Sequence, residues 1–121
     1  MMKKAISILL FFACLLILAS CNTPTDLYGT WYNDYNGTRN AIQFSENENG
    51  EDVFIWAVYD IENDAVETNN SGKFKISGNS IKFEFEQGIE PMKLQYSFEN
   101  GVLVLTSDTA VLKLERYTLD N

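Results

Sequence analysis

From Leu27 onward, apolar and polar residues alternate with a period of two, and no stretch keeps helical spacing. The clearest case is Phe74 and Ile76 alternating with Lys73, Lys75 and Ser77, followed by Gly78-Asn79. Ile81, Phe83 and Phe85 then alternate with Lys82, Glu84 and Glu86. A two-residue loop at Gly78-Asn79 pairs Ile76 with Ile81 and Phe74 with Phe83, all on one face of a hairpin. The same construction recurs at Asn100-Gly101. There the register sets Phe98 beside Leu103 and Tyr96 beside Leu105, with Leu94 on the same face. Ser107-Asp108-Thr109 turns the chain once more. Ala110, Leu112, Leu114 and Arg116 then share one parity against Val111, Lys113 and Glu115.

The first half of the domain is less regular. Gly29 to Asn33 predicts a strand, Asp34-Tyr35-Asn36-Gly37 a turn, Arg39 to Ser45 a second strand and Glu46 to Glu51 a polar loop. Val53 to Ile61 is rich in β-branched and aromatic residues and apolar on both faces, with Phe54, Trp56 and Val58 on one and Val53, Ile55 and Tyr59 on the other. Such a strand is covered on both sides, or presents one face to a partner or a membrane. Ile61 to Ser71 is polar and predicts only a short, ragged strand near Val66. About eight strands of roughly five to seven residues follow one another through short connections. That order predicts an all-β, antiparallel, eight-stranded up-and-down meander, which loses its edges by closing into a barrel. Eight strands leave an interior wide enough for side chains or one small ligand. A two-sheet sandwich is the alternative, but it needs long crossovers for which this chain has little room.

The amino end changes the picture. Met1-Met2-Lys3-Lys4 is positively charged, Ala5 to Leu18 is apolar or small, and Ala19-Ser20 are small. These are the three parts of a secretory signal, predicting a signal-peptide helix over residues 1–20. The apolar run is shorter than the ~20 residues a spanning helix needs. Leu18-Ala19-Ser20-Cys21 resembles the lipobox of bacterial lipoproteins. That resemblance implies cleavage between Ser20 and Cys21, lipidation of the Cys21 thiol and attachment to the membrane through the lipid. Two or more acyl chains make such an anchor stable, whereas one holds only marginally. Residues 21–26 then form the lipidated amino terminus and a short polar tether, and residues 27–121 the barrel domain. Asn22 after the anchor cysteine, by the same resemblance, points to the outer membrane of the cell envelope.

The formal net charge is −8, and removal of Lys3 and Lys4 with the signal makes the mature chain two units more acidic. A surface of that sign repels nucleic acid and anionic headgroups. There is no histidine, and the only cysteines are Cys14 in the signal and Cys21. Histidine-based triads, thiol catalysis and a disulfide are therefore ruled out of the mature domain. Asp60, Glu62 and Asp64 alternate in the manner of a calcium loop, but Ala65 and Ser71 stand where that loop needs Gly and Glu. No metal or cofactor is expected, and no enzyme activity, since strand parity places the carboxylates on turns or outward faces.

Gly29-Thr30-Trp31 resembles the Gly-x-Trp that opens the first strand of lipocalins and their calycin relatives. The resemblance implies a barrel closed at one end by Trp31, packed by an Arg from the last strand. Arg116 occupies that strand, on the parity of Leu112 and Leu114. A buried guanidinium there needs an aromatic face and backbone carbonyls as partners. Gly29, Trp31 and Arg116 are thus the predicted barrel closure. The chain resembles the short lipocalin-like lipoproteins of Bacteroidetes-type bacteria. The implied function is binding of a small hydrophobic ligand, with Trp56, Phe83, Phe85 and Tyr96 as candidate lining residues; ordinary core packing is the simpler reading of those four. The other functional alternative is a solid barrel whose outer face docks an envelope protein partner. Tyr28, Tyr32 and Tyr35 are expected to gather near the first turn. Asp108-Thr109-Ala110 resembles a Bacteroidetes O-glycosylation acceptor site, with Thr109 as the modified residue.

Overall fold

A computed structural model describes residues 23–118. The signal segment, its helix, Ser20 and Cys21 lie outside the described residues. A single 3-10 turn (Thr25–Leu27) leads into eight strands: β1 Gly29–Tyr35, β2 Thr38–Glu46, β3 Asp52–Asp60, β4 Ala65–Ser77, β5 Ser80–Phe85, β6 Met92–Glu99, β7 Val102–Thr106 and β8 Val111–Arg116. Each strand pairs antiparallel with its sequence neighbour, and β8 returns to β1, so the sheet is a closed up-and-down barrel.

The hairpins follow from local chemistry. Asn36-Gly37 and Asn100-Gly101 both take positive φ at their two central residues, 53° and 80° in the first and 54° and 82° in the second. That is the turn whose twist matches paired strands, and Asn-Gly reaches it at least cost. At Gly78-Asn79 only the glycine is left-handed, at φ 61°. Ile76 pairs with Ile81 and Phe74 with Phe83, and across the next hairpin Phe98 pairs with Leu103 and Tyr96 with Leu105.

Two expectations are corrected. β1 runs on to Tyr35, so the first turn is two residues and not four. The polar stretch before Ser71 belongs to one 13-residue strand, β4, with a register shift opposite Val58 and Tyr59. It lacks an alternating apolar face because its first half stands clear of the core and pairs with β3 alone; ladder hydrogen bonds hold it there instead of burial. Strand length is therefore uneven, with β2 to β4, of 9 to 13 residues, forming a tall wall and β5, β7 and β8, of 5 or 6 residues, a low one. Of the two readings of β3, the structure agrees with a face left partly uncovered, since Ile55 on its outer side is 45% exposed.

The core lies inside the barrel. Trp31, Ile42, Phe44, Phe54, Ile81, Phe83, Leu103 and Leu114 are almost wholly buried. The phenylalanines pack edge-on, with Phe54–Phe83 centroids 4.9 Å apart and Phe44–Phe74 centroids 5.1 Å apart. Each such ring contributes about 1.5–3 kcal/mol by burial, and a well-angled pair about 0.5–1.5 kcal/mol more. Among the described residues no polar or charged side chain is buried in this core.

Candidate functional site

The connections sort the barrel into two unlike ends. At one lie the 3-10 turn, the start of β1 and the end of β8, together with the β2–β3, β4–β5 and β6–β7 turns. At the other lie the β1–β2, β3–β4, β5–β6 and β7–β8 connections.

The first end is shut. Trp31 is buried, and its indole Nε1 donates to the Leu27 carbonyl at 2.9 Å, tying the 3-10 turn across the barrel. The Arg116 guanidinium lies 4.3 Å from the Trp31 ring centroid. It donates to the Tyr28 carbonyl at 3.0 Å and to the Asp26 carbonyl. Arg116 is mostly exposed, which corrects the expectation of an inward arginine. It caps the end from outside the core, so burial of its charge costs little. Gly29 makes room for it: at φ 125°, a Cβ on Gly29 would sit 2.7 Å from Arg116 Nη1. The three residues of the predicted closure therefore meet at one point.

Asp52 completes this end. It opens β3 on the inward parity and accepts hydrogen bonds from the Tyr28 hydroxyl at 2.6 Å and from Thr23 Oγ1. Partial burial, then the hydrogen bond to Asp52, pushes the Tyr28 phenol up to about 12. In the sequence Asp52 reads as one more acid of a solvated loop; its long-range partners leave no local mark there.

The second end is open. A depression of about 320 Å³ is lined mainly by Trp56, Met92, Leu94, Leu105, Ala110 and Leu112, with Lys93 and Ser107 as its polar members. These side chains come from β3 on one wall and from β6, β7, β8 and the β7–β8 turn on the other. The Trp56 indole donates to Asn40 Oδ1 at 3.3 Å, which fixes the ring on the tall wall. Its inner side packs on Phe83, with centroids 5.3 Å apart. Of the four candidate lining residues, then, only Trp56 faces this depression. Phe83 is fully buried beneath it among Phe44, Phe54 and Phe85. Phe85 packs edge-on against Phe54 at 5.3 Å. Tyr96 borders an adjoining, more polar groove with Asn79, Gln95 and Asp108, which shares Lys93, Leu94 and Ser107 with the depression; burial raises the pKa of its phenol. Leu94, Leu105 and Leu112 escaped the sequence reading as site residues, although their parity marked them as inward. The further signal was their place nearest the turns of the open end.

The three N-terminal tyrosines do not gather: Tyr28 sits at the closed end, Tyr32 on the outer face against Tyr117, and Tyr35 beside the open end, 72% exposed. Thr109 is exposed in the β7–β8 turn, its amide donating to Ser107 Oγ at 3.3 Å. Among the described residues no cluster of acidic or cysteine side chains is arranged to hold a metal ion. No protein-family model, curated protein or solved structure matches the chain significantly. What the fold and its two ends define is a closed eight-stranded barrel, plugged at one end and apolar at the mouth of the other.

Proposed function

We propose that this chain is a lipid-anchored lipoprotein of the bacterial cell envelope whose lipocalin-like barrel binds a small hydrophobic molecule at its open end, without catalysing a reaction. The observation that carries the reading is the apolar depression of about 320 Å³ over Trp56. It lies at the lower bound of the roughly 300–1,000 Å³ typical of small-molecule sites. The interior below it is filled by phenylalanines, so a ligand sits at the mouth, in contact with Trp56, and does not thread the barrel.

The anchor fits the same geometry. Only Asn22 separates Cys21 from Thr23, a span of about 7 Å at most. Thr23 is tied to Asp52 at the closed end. A lipid on Cys21 would hold that end toward the membrane and turn the mouth away from the anchoring leaflet, in this reading the outer membrane.

A solid interaction module remains the second reading, favoured by the filled interior and by Ile55 on the outer face of β3. Native mass spectrometry of the protein from its own host separates the two. A copurifying small molecule, lost on Leu112→Gln, is the expected result; an empty mouth together with a stoichiometric protein partner would support the module instead. For the anchor, Cys21→Ser is expected to move the protein out of the membrane fraction.

A further inference from the structure

We propose that the outer wall of the barrel, on β4, β5 and β6, holds a phosphate group between the ammonium groups of Lys75, Lys82 and Lys93. The proposal is independent of the reading of the mouth, because these exposed side chains alternate with the inward Phe74, Ile76, Ile81, Phe83 and Leu94.

Strand register sets the three lysines in one row. Lys75 stands directly opposite Lys82 across the β4–β5 hairpin, and Lys82 stands directly opposite Lys93 across β5 and β6. The next row is polar too, with Ser77 opposite Ser80 and Ser80 opposite Gln95. Lys75, Ser77, Ser80, Lys82 and Lys93 surround a groove of about 340 Å³, which Pro91 completes. Among the described residues no carboxylate lines it. Glu84 reaches the row from one side, 3.9 Å from Lys75 and 3.7 Å from Lys82, and Lys93 is in no ion pair among the described residues. Like charges directly opposite on a sheet work against the fold, and here the opposition occurs twice in succession. An oxyanion seated between the lysines turns that repulsion into attraction, and the Ser77 and Ser80 hydroxyls are free to donate to its remaining oxygens. A phosphate monoester suits separate point charges better than a carboxylate does, since it brings several acceptor oxygens and about two negative charges near neutral pH. The formal net charge of −8 acts against any anion from a distance. That field is screened beyond about 10 Å at 0.1 M salt, whereas the lysines act at contact. Thr23 lines a neighbouring groove together with Lys73 and Lys75, so the amino end of the chain lies beside the row. The phosphate therefore comes either from a lipid headgroup or from solution.

The test titrates three probes into the purified full chain at about 0.1 M sodium chloride, where the long-range field is screened. They are inorganic phosphate, dihexanoyl phosphatidic acid below its micelle concentration, and dihexanoyl phosphatidylcholine, whose phosphate diester is balanced by its own cation. Binding is read from the Cε–Hε resonances of the lysines, with Lys113 on β8 as the reference. Phosphate and phosphatidic acid are expected to shift Lys75, Lys82 and Lys93 saturably and to leave Lys113 unmoved. Lys82→Gln and Lys93→Gln should each weaken phosphate binding roughly tenfold, as expected for one lost hydrogen bond between charged groups. Lys82→Gln should unfold in urea no earlier than the parent, since it removes both like-charge oppositions along with one contact to Glu84. Phosphatidic acid binding roughly tenfold tighter than phosphate, through added apolar contact, would assign the group to a lipid headgroup; binding no tighter would assign it to phosphate from solution. Shifts shared equally with Lys113, phosphatidylcholine binding as tightly as phosphatidic acid, phosphate binding unchanged in both folded variants, or no saturable shift with any probe would each overturn the site.

Discussion

Arg116 stacks 4.3 Å from the centroid of the Trp31 ring while its guanidinium donates to the carbonyls of Tyr28 and Asp26. One side chain from the last strand thus holds the first strand and the turn before it. The β1–β8 seam needs this clamp, because only Trp31–Arg116 and Tyr32–Glu115 are in register across it. Arg116→Ala is expected to lower stability by about 1–2 kcal/mol, combining an exposed cation–π contact with the lost hydrogen bonds. Arg116→Lys should recover less than half, since an ammonium cannot stack flat and reach two carbonyls together. Urea unfolding, followed by Trp31 near-ultraviolet dichroism, measures both.

Gly29 is the second part of the same device. Its φ of 125° excludes a side chain on conformational grounds, and a Cβ there would meet Arg116 Nη1 at 2.7 Å. Gly29→Ala should cost about 1–3 kcal/mol. The two causes separate in a double-mutant cycle. In the Arg116→Ala background the steric part vanishes and the backbone part stays, so the combined loss should fall short of the sum. Strict additivity would show that Arg116 moves aside freely.

The parts of the fold legible in the sequence were those where burial and turn chemistry act together over a few residues. The β4–β5 and β6–β7 hairpins could be registered residue by residue because Gly78-Asn79 and Asn100-Gly101 sit between strands with one apolar face. The first half of β4 was not legible: from Ala65 to Asn70 it is held by backbone pairing to β3, and its side chains carry no burial pattern. The closed end was visible through Gly29, Trp31 and Arg116, yet Asp52 was not, because its role depends on Tyr28 and Thr23, far off in sequence. At the mouth, parity told which residues point inward. Which of them end up uncovered depends on the relative heights of the strands, and that is a property of the closed barrel.

Gly72 answers a different need from Gly29. It sits where β4 pairs with β3 on one side and reaches β5 on the other, opposite Phe54 and Phe85. A Cβ there would lie 1.9 Å from the Glu84 carbonyl oxygen, and backbone cannot swing away as a side-chain tip does. Gly72→Ala should therefore destabilise by about 3 kcal/mol, the upper range for an overpacked site. Amide exchange should localise the damage to the β4–β5 seam, where the Glu86 amide bonds the Ser71 carbonyl at 2.9 Å. Damage spread evenly over the barrel would point to a general loss of packing instead.

Tyr28 gives the closed end a dependence on alkali. Its phenol, raised from 10.0 to about 12 by burial and by donation to Asp52, stays protonated in the fold after the unfolded chain has ionised. Between those two values the unfolded state sheds a proton that the native state keeps, so rising pH favours unfolding. The stabilisation is complete below pH 10 and disappears as pH climbs through 12. Tyr28→Phe removes the hydrogen bond at every pH, at a cost of about 1 kcal/mol near neutrality. It should also remove this titration, so the stability gap between the two proteins narrows from pH 10 to 12. Burial raises Tyr96 too, but that contribution is common to both proteins and cancels. A gap that stays constant across the range would mean that Tyr28 does not hold Asp52 in solution.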